Sequence, residues 1–261
     1  AYLKDINFKK FWIKFDKKNL DKDLIQLINF YVFSDSYKSS SRFWNVLNIR
    51  HVNQISEFGI DNFATSVALH YFTTIVCKEE QIKNIINHLE NKKIDLSKST
   101  DHIFKRQINL DFTHSANHNI VLNLLHAYLK TKEEYKYLKL LDKNNFLIEK
   151  IPYIEIEGLK ITQDKINSIL EFININKIID NVKSESINIL EIGAGSGRTT
   201  ETVISLLSEK KVKYVIVDIP PALHINYLRM KNNYPNNKIK VALDINSSAH
   251  LNEMFKNNDI L

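Results

Sequence analysis

Three glycines at alternate positions give one short stretch of this sequence the composition of a ligand-binding loop. Residues 188–198 read Asn-Ile-Leu-Glu-Ile-Gly-Ala-Gly-Ser-Gly-Arg, and they hold three of the five glycines in the chain. Glycine is favoured where the backbone takes positive φ or where a ligand must approach the backbone closely. A helix that starts directly behind such a loop also offers unpaired N–H groups to a ligand. The pattern predicts a binding loop that contains Gly193, Ala194, Gly195, Gly197 and Arg198.

The spacing of the glycines narrows the class of ligand. A dinucleotide-binding loop has the pattern Gly-x-Gly-x-x-Gly, and Arg198 stands where its last glycine or alanine belongs. The Gly-Lys-Ser/Thr ending of a phosphate-binding loop is missing as well. A nucleophile elbow, Gly-x-Ser-x-Gly, needs glycine where Ala194 stands. The sequence therefore disfavours dinucleotide binding, nucleotide hydrolysis by a phosphate-binding loop, and serine hydrolase chemistry.

Two acidic residues stand at the ends of the predicted strands beside this loop. Glu191 lies two residues before the first glycine, where a carboxylate suits a cationic group and disfavours a pyrophosphate. Asp218, followed by Ile219, lies about 25 residues after that glycine. An acid at this position can accept hydrogen bonds from both hydroxyls of a ribose. S-adenosylmethionine carries both a cationic α-amino group and a ribose. The acids and the loop predict a site for this cofactor; the alternative is a glycine-rich turn that binds no cofactor.

The elements around these residues predict an α/β protein. After residue 186, apolar runs alternate with helical patterns, which is typical of a mostly parallel sheet. The predicted strands are 187–192, 213–218 and 238–243, with the start of a fourth at 259–261, and the predicted helices are 198–210 and 221–232. Up to about residue 150 the pattern is mainly helical. Helices are predicted at 42–47, 51–58 and 62–74, with Gly59 as a C-cap, and a long connection is predicted at 93–114.

A further helix is predicted directly before the first of these strands. Thr162 is its N-cap, and it runs to about Asp180. Gln163, Asn167 and Glu171 recur at four-residue spacing, so they share one face of the helix. This polar row either faces the ligand site or forms a solvated surface.

Composition and charge restrict the class of partner. The net charge is +6, but Lys, Asn and Ile are frequent throughout the chain, which disfavours a nucleic-acid partner. The lysine-rich start carries aromatic residues at helical spacing, which predicts an amphipathic helix. No apolar run is long enough to span a membrane, and the start lacks the apolar core of a signal peptide. With Cys77 as the lone cysteine, the expected location is the cytoplasm.

Five blocks of sequence together resemble one family. They lie at 41–44, 57–63, 161–164, 191–198 and 217–223, with further matches at 71–72, 167–168 and 171. They are similar to the bacterial sugar O-methyltransferases, which belong to the class I S-adenosylmethionine-dependent methyltransferases. The family commonly has an aromatic residue where Ser196 stands, so the chain departs from the pattern there.

The resemblance implies a fold and an activity. A helical domain on the substrate side, residues 1–150, would precede a Rossmann-like cofactor domain, residues 151–261. The family's sheet has seven strands, so we expect the chain to be truncated after its third strand. The implied reaction methylates a sugar hydroxyl in polysaccharide or glycoconjugate biosynthesis, with a carbohydrate or nucleotide-sugar substrate. Alternatives are an RNA methyltransferase that uses the basic first helix and a non-catalytic methyltransferase-like scaffold.

The proton acceptor for such a reaction is weakly specified. A hydroxyl is a poor nucleophile at neutral pH, so a general base should lie near it. The candidates are His70, His114 and His118, although a lone histidine is more often a packed or surface residue. Ser115 stands where a zinc protease motif needs glutamate, so no metal site is predicted. The base could also follow Leu261.

Overall fold

The computed structural model describes residues 7–38, 40–62, 79–94, 112–142, 153–207, 209–243 and 247–261. The structure mixes helices with small sheets, which confirms the predicted class at the level of α/β. The helices are Phe8–Lys14 (α1), Lys22–Phe33 (α2), Asp35–Lys38 (α3), Arg42–Phe58 (α4), Glu79–Asn91 (α5), Phe112–Lys130 (α6), Tyr137–Leu141 (α7), Gln163–Ile179 (α8), Arg198–Leu206 (α9), Pro220–Asn233 (α10) and Ser248–Asn257 (α11). The strands are Tyr153–Ile156 (β1), Leu159–Thr162 (β2), Ser186–Ile192 (β3) and Lys211–Val217 (β4). No helix in the described ranges is both long enough and apolar enough to cross a membrane.

The chain divides into two compact units, each built from separate stretches of sequence. The first unit holds residues 1–63, 185–200 and 209–261, and the second holds residues 64–184 and 201–208. The N-terminal helices α1 to α4 therefore belong to the same unit as the glycine loop. The domain boundary expected near residue 150 stays a prediction.

In the first unit, local signals decide where the helices begin and end. The Asp21 side chain accepts hydrogen bonds at the start of α2, and Ser41 does the same for α4. Gly59 ends α4 with φ of +79°, and its N–H donates to the Ile55 carbonyl at 2.9 Å, as expected for a C-cap. The sequence predicted two helices at 42–47 and 51–58, and α4 is continuous because no glycine or proline interrupts it.

The lysine-rich start of the chain is an amphipathic helix, as predicted. Phe8 and Trp12 of α1 are buried, whereas Lys10 and Lys14 are exposed. The Trp12 indole N–H donates to the Asn29 side chain on α2 at 2.7 Å. The aromatic face of α1 is therefore part of the core of the first unit.

The first unit also contains the predicted strand and loop, together with the first turn of the helix that follows them. Strands β3 and β4 run parallel, in register from the pair Ser186 and Lys211 to the pair Ile192 and Val217. Parallel neighbours need a crossover connection, which α9 provides. Strand, glycine loop, helix and strand thus follow in the order that the sequence predicted.

Beyond β4 the sheet departs from the predictions. Instead of a strand at 238–243, the described residues there form one isolated bridge, at Ile239. Ile260 lies between Ile239 and Tyr214 of β4, where its bridges to both are parallel. In a doubly wound sheet the fourth strand lies beside the first, which corresponds to β3 here. The last residues, predicted to begin the fourth strand, lie beside β4 instead. The pairing is held by backbone bonds from Tyr214 N–H to the Asp259 carbonyl at 2.9 Å and from Ile216 N–H to the Leu261 carbonyl at 2.7 Å.

The second unit packs α6, α7 and α8 around a hairpin. Strands β1 and β2 are antiparallel, and Glu157 and Gly158 form their turn with φ of +52° and +78°. The predicted N-cap of α8 is confirmed, because the Thr162 hydroxyl accepts a hydrogen bond from the Lys165 N–H at 3.1 Å. The fully buried members of this core include Leu122, Leu129, Ile154, Ile161 and Ile166. Most of the helix predicted at 62–74 and of the connection predicted at 93–114 lies outside the described residues.

Candidate functional site

The glycine loop has the backbone conformation that its sequence predicted. Gly193, Gly195 and Gly197 have φ of +80°, +58° and +80°, in the left-handed region where side chains are strained. The loop links β3 to α9, and α9 begins at Arg198 as expected. Ala194 is buried between the first two glycines. Glycine therefore alternates with other residues because positive φ alternates with negative φ along the loop.

The first and last of these glycines have different surroundings. A Cβ placed on Gly193 would meet no heavy atom within 4 Å. A Cβ placed on Gly197 would lie 2.6 Å from Cγ and Oδ1 of Asn226 and 2.8 Å from its Nδ2. Gly193 thus leaves the backbone open to a ligand, whereas Gly197 allows α10 to pack against the loop.

Asp218 ties the loop to the end of β4. Its Oδ2 accepts a hydrogen bond from the Gly195 N–H at 2.6 Å, and its Oδ1 accepts one from the Ile219 N–H at 2.7 Å. Burial raises the pKa of Asp218 to about 6; the two N–H donors oppose the rise, and the charge of Glu191 adds to it. The carboxylate is therefore mainly ionised at neutral pH, and each of its oxygens keeps a further lone pair for a ligand.

Glu191 lies at the end of β3, close enough to Asp218 for its charge to act on that residue's pKa. Its Oε2 accepts hydrogen bonds from the Thr200 hydroxyl at 2.7 Å and from the Tyr214 hydroxyl at 2.8 Å. Burial, together with the Glu191 carboxylate, raises the pKa of Tyr214 above its usual range, so Tyr214 stays a donor. Both hydrogen bonds are accepted by the same oxygen, Oε2, and together they fix the orientation of the Glu191 carboxylate.

The sequence did not predict either hydrogen-bond donor to Glu191. Tyr214 is one of several large residues in a strand, and Thr200 one of three threonines in α9. Their pairing with Glu191 depends on the parallel register of β3 and β4, which a single sequence does not reveal. The structure therefore adds two positioning residues to the predicted acid.

Helix α10 contributes two more residues that the sequence did not single out. Arg229 is buried, and its Nη1 donates to the Ser196 carbonyl at 2.9 Å and to the Ser196 hydroxyl at 3.1 Å. Asn226, one turn earlier, packs against Gly197. A serine at position 196, where the resembling family commonly has an aromatic residue, is therefore in contact with this arginine. The only feature of the sequence that could have indicated this contact is an arginine, Arg229, within the predicted helix 221–232.

A cavity of about 720 Å³ opens in the first unit on the Asp218 side of the loop. Its walls come from the ends of α2 and β4, from α10, and from residues 239–243 and 260–261. This volume is in the range of small-molecule sites. Glu191 and the glycine loop do not line the cavity, so it can enclose only the part of a ligand that extends beyond Asp218.

The other predicted site residues lie elsewhere or outside the described residues. Gln163, Asn167 and Glu171 belong to α8 in the second unit; Gln163 is buried, so this end of the polar row is not solvated. His114 and His118 are one turn apart in α6, but their side chains are not among those described, and neither is His70. Arg198 is half-buried at the start of α9. The roles predicted for these residues stay predictions.

Metal ligands were not predicted, and the described part of the chain contains no group of three or more His, Cys, Asp or Glu side chains arranged to hold a metal ion. Comparison of the chain with models of protein families, with curated proteins and with solved structures found no match. The geometry of the loop and of its two acids therefore carries the functional interpretation.

Proposed function

We propose that the chain binds S-adenosylmethionine and is part of a methyltransferase that acts on a sugar hydroxyl. The observation that supports this most directly is the hydrogen bond from Gly195 to Asp218, with Glu191 close by. It joins three features that the sequence kept separate: the loop, the acid after β4 and the acid at the end of β3. The acceptor class comes from the resemblance to sugar O-methyltransferases alone.

The residues suit the chemical groups of this cofactor. Asp218 has lone pairs left for both ribose hydroxyls, and Glu191 is a fixed carboxylate for the α-amino group. The open space at Gly193 allows the ligand to lie against the backbone. Two neighbouring carboxylates attract a cation and repel a pyrophosphate. The electrostatics thus favour S-adenosylmethionine over a dinucleotide.

The cofactor supplies an electrophilic methyl group when bound. This chain's own residues bind and orient it: Thr200 and Tyr214 hold the Glu191 carboxylate, and Gly195 holds Asp218. Orientation of this kind lowers the barrier of a displacement, because the reacting atoms are brought into line before the reaction. The cavity beyond Asp218 would enclose the base of the nucleoside.

The hydrogen bonds of the two acids depend on β3, the loop, α9 and β4, whereas the cavity that would enclose the base also takes part of its wall from residues 239–243 and 260–261. Residues 259–261 lie beside β4 and not beside β3, which differs from the doubly wound order. The contacts of Glu191 and Asp218 involve only β3, β4 and the two connections at their ends. Residues 259–261 contact this arrangement through the backbone of Tyr214, which pairs with Asp259 and Leu261.

Calorimetric titration at pH 7.5 tests the proposal. We expect wild-type protein to bind S-adenosylmethionine and S-adenosylhomocysteine, and Glu191→Gln to bind both about tenfold or more weakly, since the variant keeps an acceptor but loses the charge. Glu185→Gln is the control, because the exposed Glu185 lies just before the other end of β3. Tight binding of NAD, or an equal loss in both variants, would overturn the proposal.

Transfer is tested separately by release of S-adenosylhomocysteine in the presence of nucleotide sugars. Product release with a nucleotide sugar, and none with RNA, would support the sugar acceptor. Cofactor binding without transfer to any acceptor would favour the non-catalytic scaffold.

A further inference from the structure

Asn226 combines three features that distinguish it from the other residues of the cavity wall. It lines the same cavity as Asp218, and it is 1% exposed. Within the part of the chain that the structure describes, neither its Oδ1 nor its Nδ2 has a hydrogen-bond partner. Buried amide groups are nearly always paired, because an unpaired one loses the hydrogen bonds that it makes with water. A ligand in the cavity would supply the missing partners.

The contact with Gly197 fixes the orientation of this amide. A Cβ on Gly197 would lie at nearly equal distances, 2.6, 2.6 and 2.8 Å, from Cγ, Oδ1 and Nδ2. A point at equal distances from these three atoms lies above the plane of the carboxamide. The flat face of Asn226 therefore packs on Gly197, and its donor and acceptor are directed along the amide edge. The loop thus orients the side chain without using its hydrogen-bonding groups.

A carboxamide edge recognises a partner that presents an acceptor and a donor side by side. Adenine presents such a pair as N7 and the N6 amino group, which Asn can bind with two hydrogen bonds. Hypoxanthine presents two acceptors at the same edge, N7 and O6, and satisfies only the amide donor. The cavity wall also carries Phe33 and Tyr227, and aromatic side chains suit a planar ring.

We propose that Asn226 is a specificity-determining residue that reads the N6 and N7 edge of an adenine base held in the cavity. This inference rests on the proposed function, in which Asp218 binds the ribose of an adenosyl cofactor. Asn226 and Asp218 line the same cavity, and in this inference the base and the ribose of one nucleoside contact them in turn.

Calorimetric titration with adenosine, inosine and 7-deazaadenosine tests the inference. Wild-type protein is expected to bind adenosine about tenfold or more tightly than either analogue, since each analogue removes one of the two hydrogen bonds. Asn226→Leu, of similar size, should bind all three nucleosides equally weakly. Asn232→Ala, an exposed change on the same helix, should leave the preference unchanged.

Asn226→Asp is a second variant, which tests the same preference if Asn226→Leu does not fold. Its carboxylate accepts from the N6 amino group but repels the lone pair of N7, so the preference should reverse towards 7-deazaadenosine. A residue that only packs against Gly197 would produce no such reversal. Equal binding of the nucleosides by wild type, or an unchanged preference in both variants, overturns the inference.

S-adenosylmethionine is titrated in parallel to separate the two proposals. Adenosine preference that depends on Asn226, without binding of S-adenosylmethionine, would retain the inference and reject the proposed function. If wild type and both variants bind S-adenosylmethionine with equal affinity, the proposed function is retained and the inference about Asn226 is rejected. Absence of both adenosine and cofactor binding would reject both.

Discussion

The first and last glycines of the loop have the same φ but differ in what a side chain would meet. Gly193 and Gly197 both have φ of +80°, so alanine would strain the backbone at each, by about 1–2 kcal/mol. Only at Gly197 would the added methyl also overlap a neighbouring residue, Asn226. The pair therefore separates backbone strain from packing.

We expect Gly197→Ala to destabilise the protein more than Gly193→Ala, by about 1–3 kcal/mol, which is the typical cost of overpacking. Urea unfolding of the two variants measures the difference. Gly193→Ala should instead weaken cofactor binding, because the methyl occupies the open space beside the loop. Equal stability of the two variants would show that Asn226 moves aside without cost.

Protonation of Asp218 should weaken cofactor binding. Its pKa lies at about 6, raised mainly by burial, and a protonated carboxyl has fewer lone pairs for the ribose hydroxyls. Affinity for S-adenosylmethionine is expected to be constant above about pH 7 and to fall as the pH drops through 6. Titrations between pH 5 and 8 measure this. Asp218→Asn should bind weakly with a flat profile, and a pH-independent wild type would contradict the role of Asp218.

At the scale of elements, α10 holds the loop through two side chains on one face. Arg229 reaches the Ser196 carbonyl, and Asn226 covers Gly197. The start of α10 also follows directly on Asp218 and Ile219. One helix therefore positions both the middle of the loop and the acid after β4.

Arg229→Met should loosen the loop. A buried hydrogen bond to a charged group contributes about 1.5–3 kcal/mol, so we expect a loss of stability of that order. Amide hydrogen exchange within residues 194–197 should also become faster. Lys231→Met, which removes an exposed charge from the same helix, should change neither quantity. Unchanged exchange in the arginine variant would show that α10 does not hold the loop.

The elements that the sequence predicted well are those fixed by nearby residues. Alternating glycines require positive φ, Thr162 and Gly59 mark helix ends, and apolar runs mark β3 and β4. Features set by distant residues were not predicted. The contacts of Tyr214 with Glu191 and of Arg229 with Ser196 join residues 23 and 33 positions apart.

At the scale of the whole molecule, the first 63 residues fold into the same unit as the glycine loop. The composition of the helical region gives no sign of this, because a helix with one apolar face can pack against any apolar surface. Trp12 and Phe8 are buried there, and α2 contributes Phe33 to the cavity wall. Similarly, the position of Ile260 beside β4 depends on competition between sheet edges, which hydrophobic periodicity does not decide.

The pH dependence of stability should contain two opposed contributions from this unit. Burial, with the charge of Arg50, lowers the pKa of His51 to about 4, and burial also lowers the pKa of His224. Between pH 6.5 and 4 the unfolded state binds more protons at these histidines, so their contribution to stability falls as the pH falls. Burial raises the pKa of Asp218, so the folded state binds more protons at this residue between about pH 4 and 6. The contribution of Asp218 to stability therefore rises as the pH falls.

Single variants separate these contributions. Relative to wild type, Asp218→Asn should gain stability as the pH rises from 4 to 6, and His51→Gln should lose it, each by on the order of 2 kcal/mol. Urea unfolding at several pH values measures both slopes. Slopes of the same sign would contradict the opposed shifts in pKa.

A crystal structure of the chain with S-adenosylhomocysteine tests the proposed site most directly. We expect the ribose hydroxyls to lie within hydrogen-bond distance of Asp218 and the α-amino group near Glu191, with the ligand crossing the backbone at Gly193. A ligand bound elsewhere, or one whose amino group points away from both carboxylates, would contradict the proposed function.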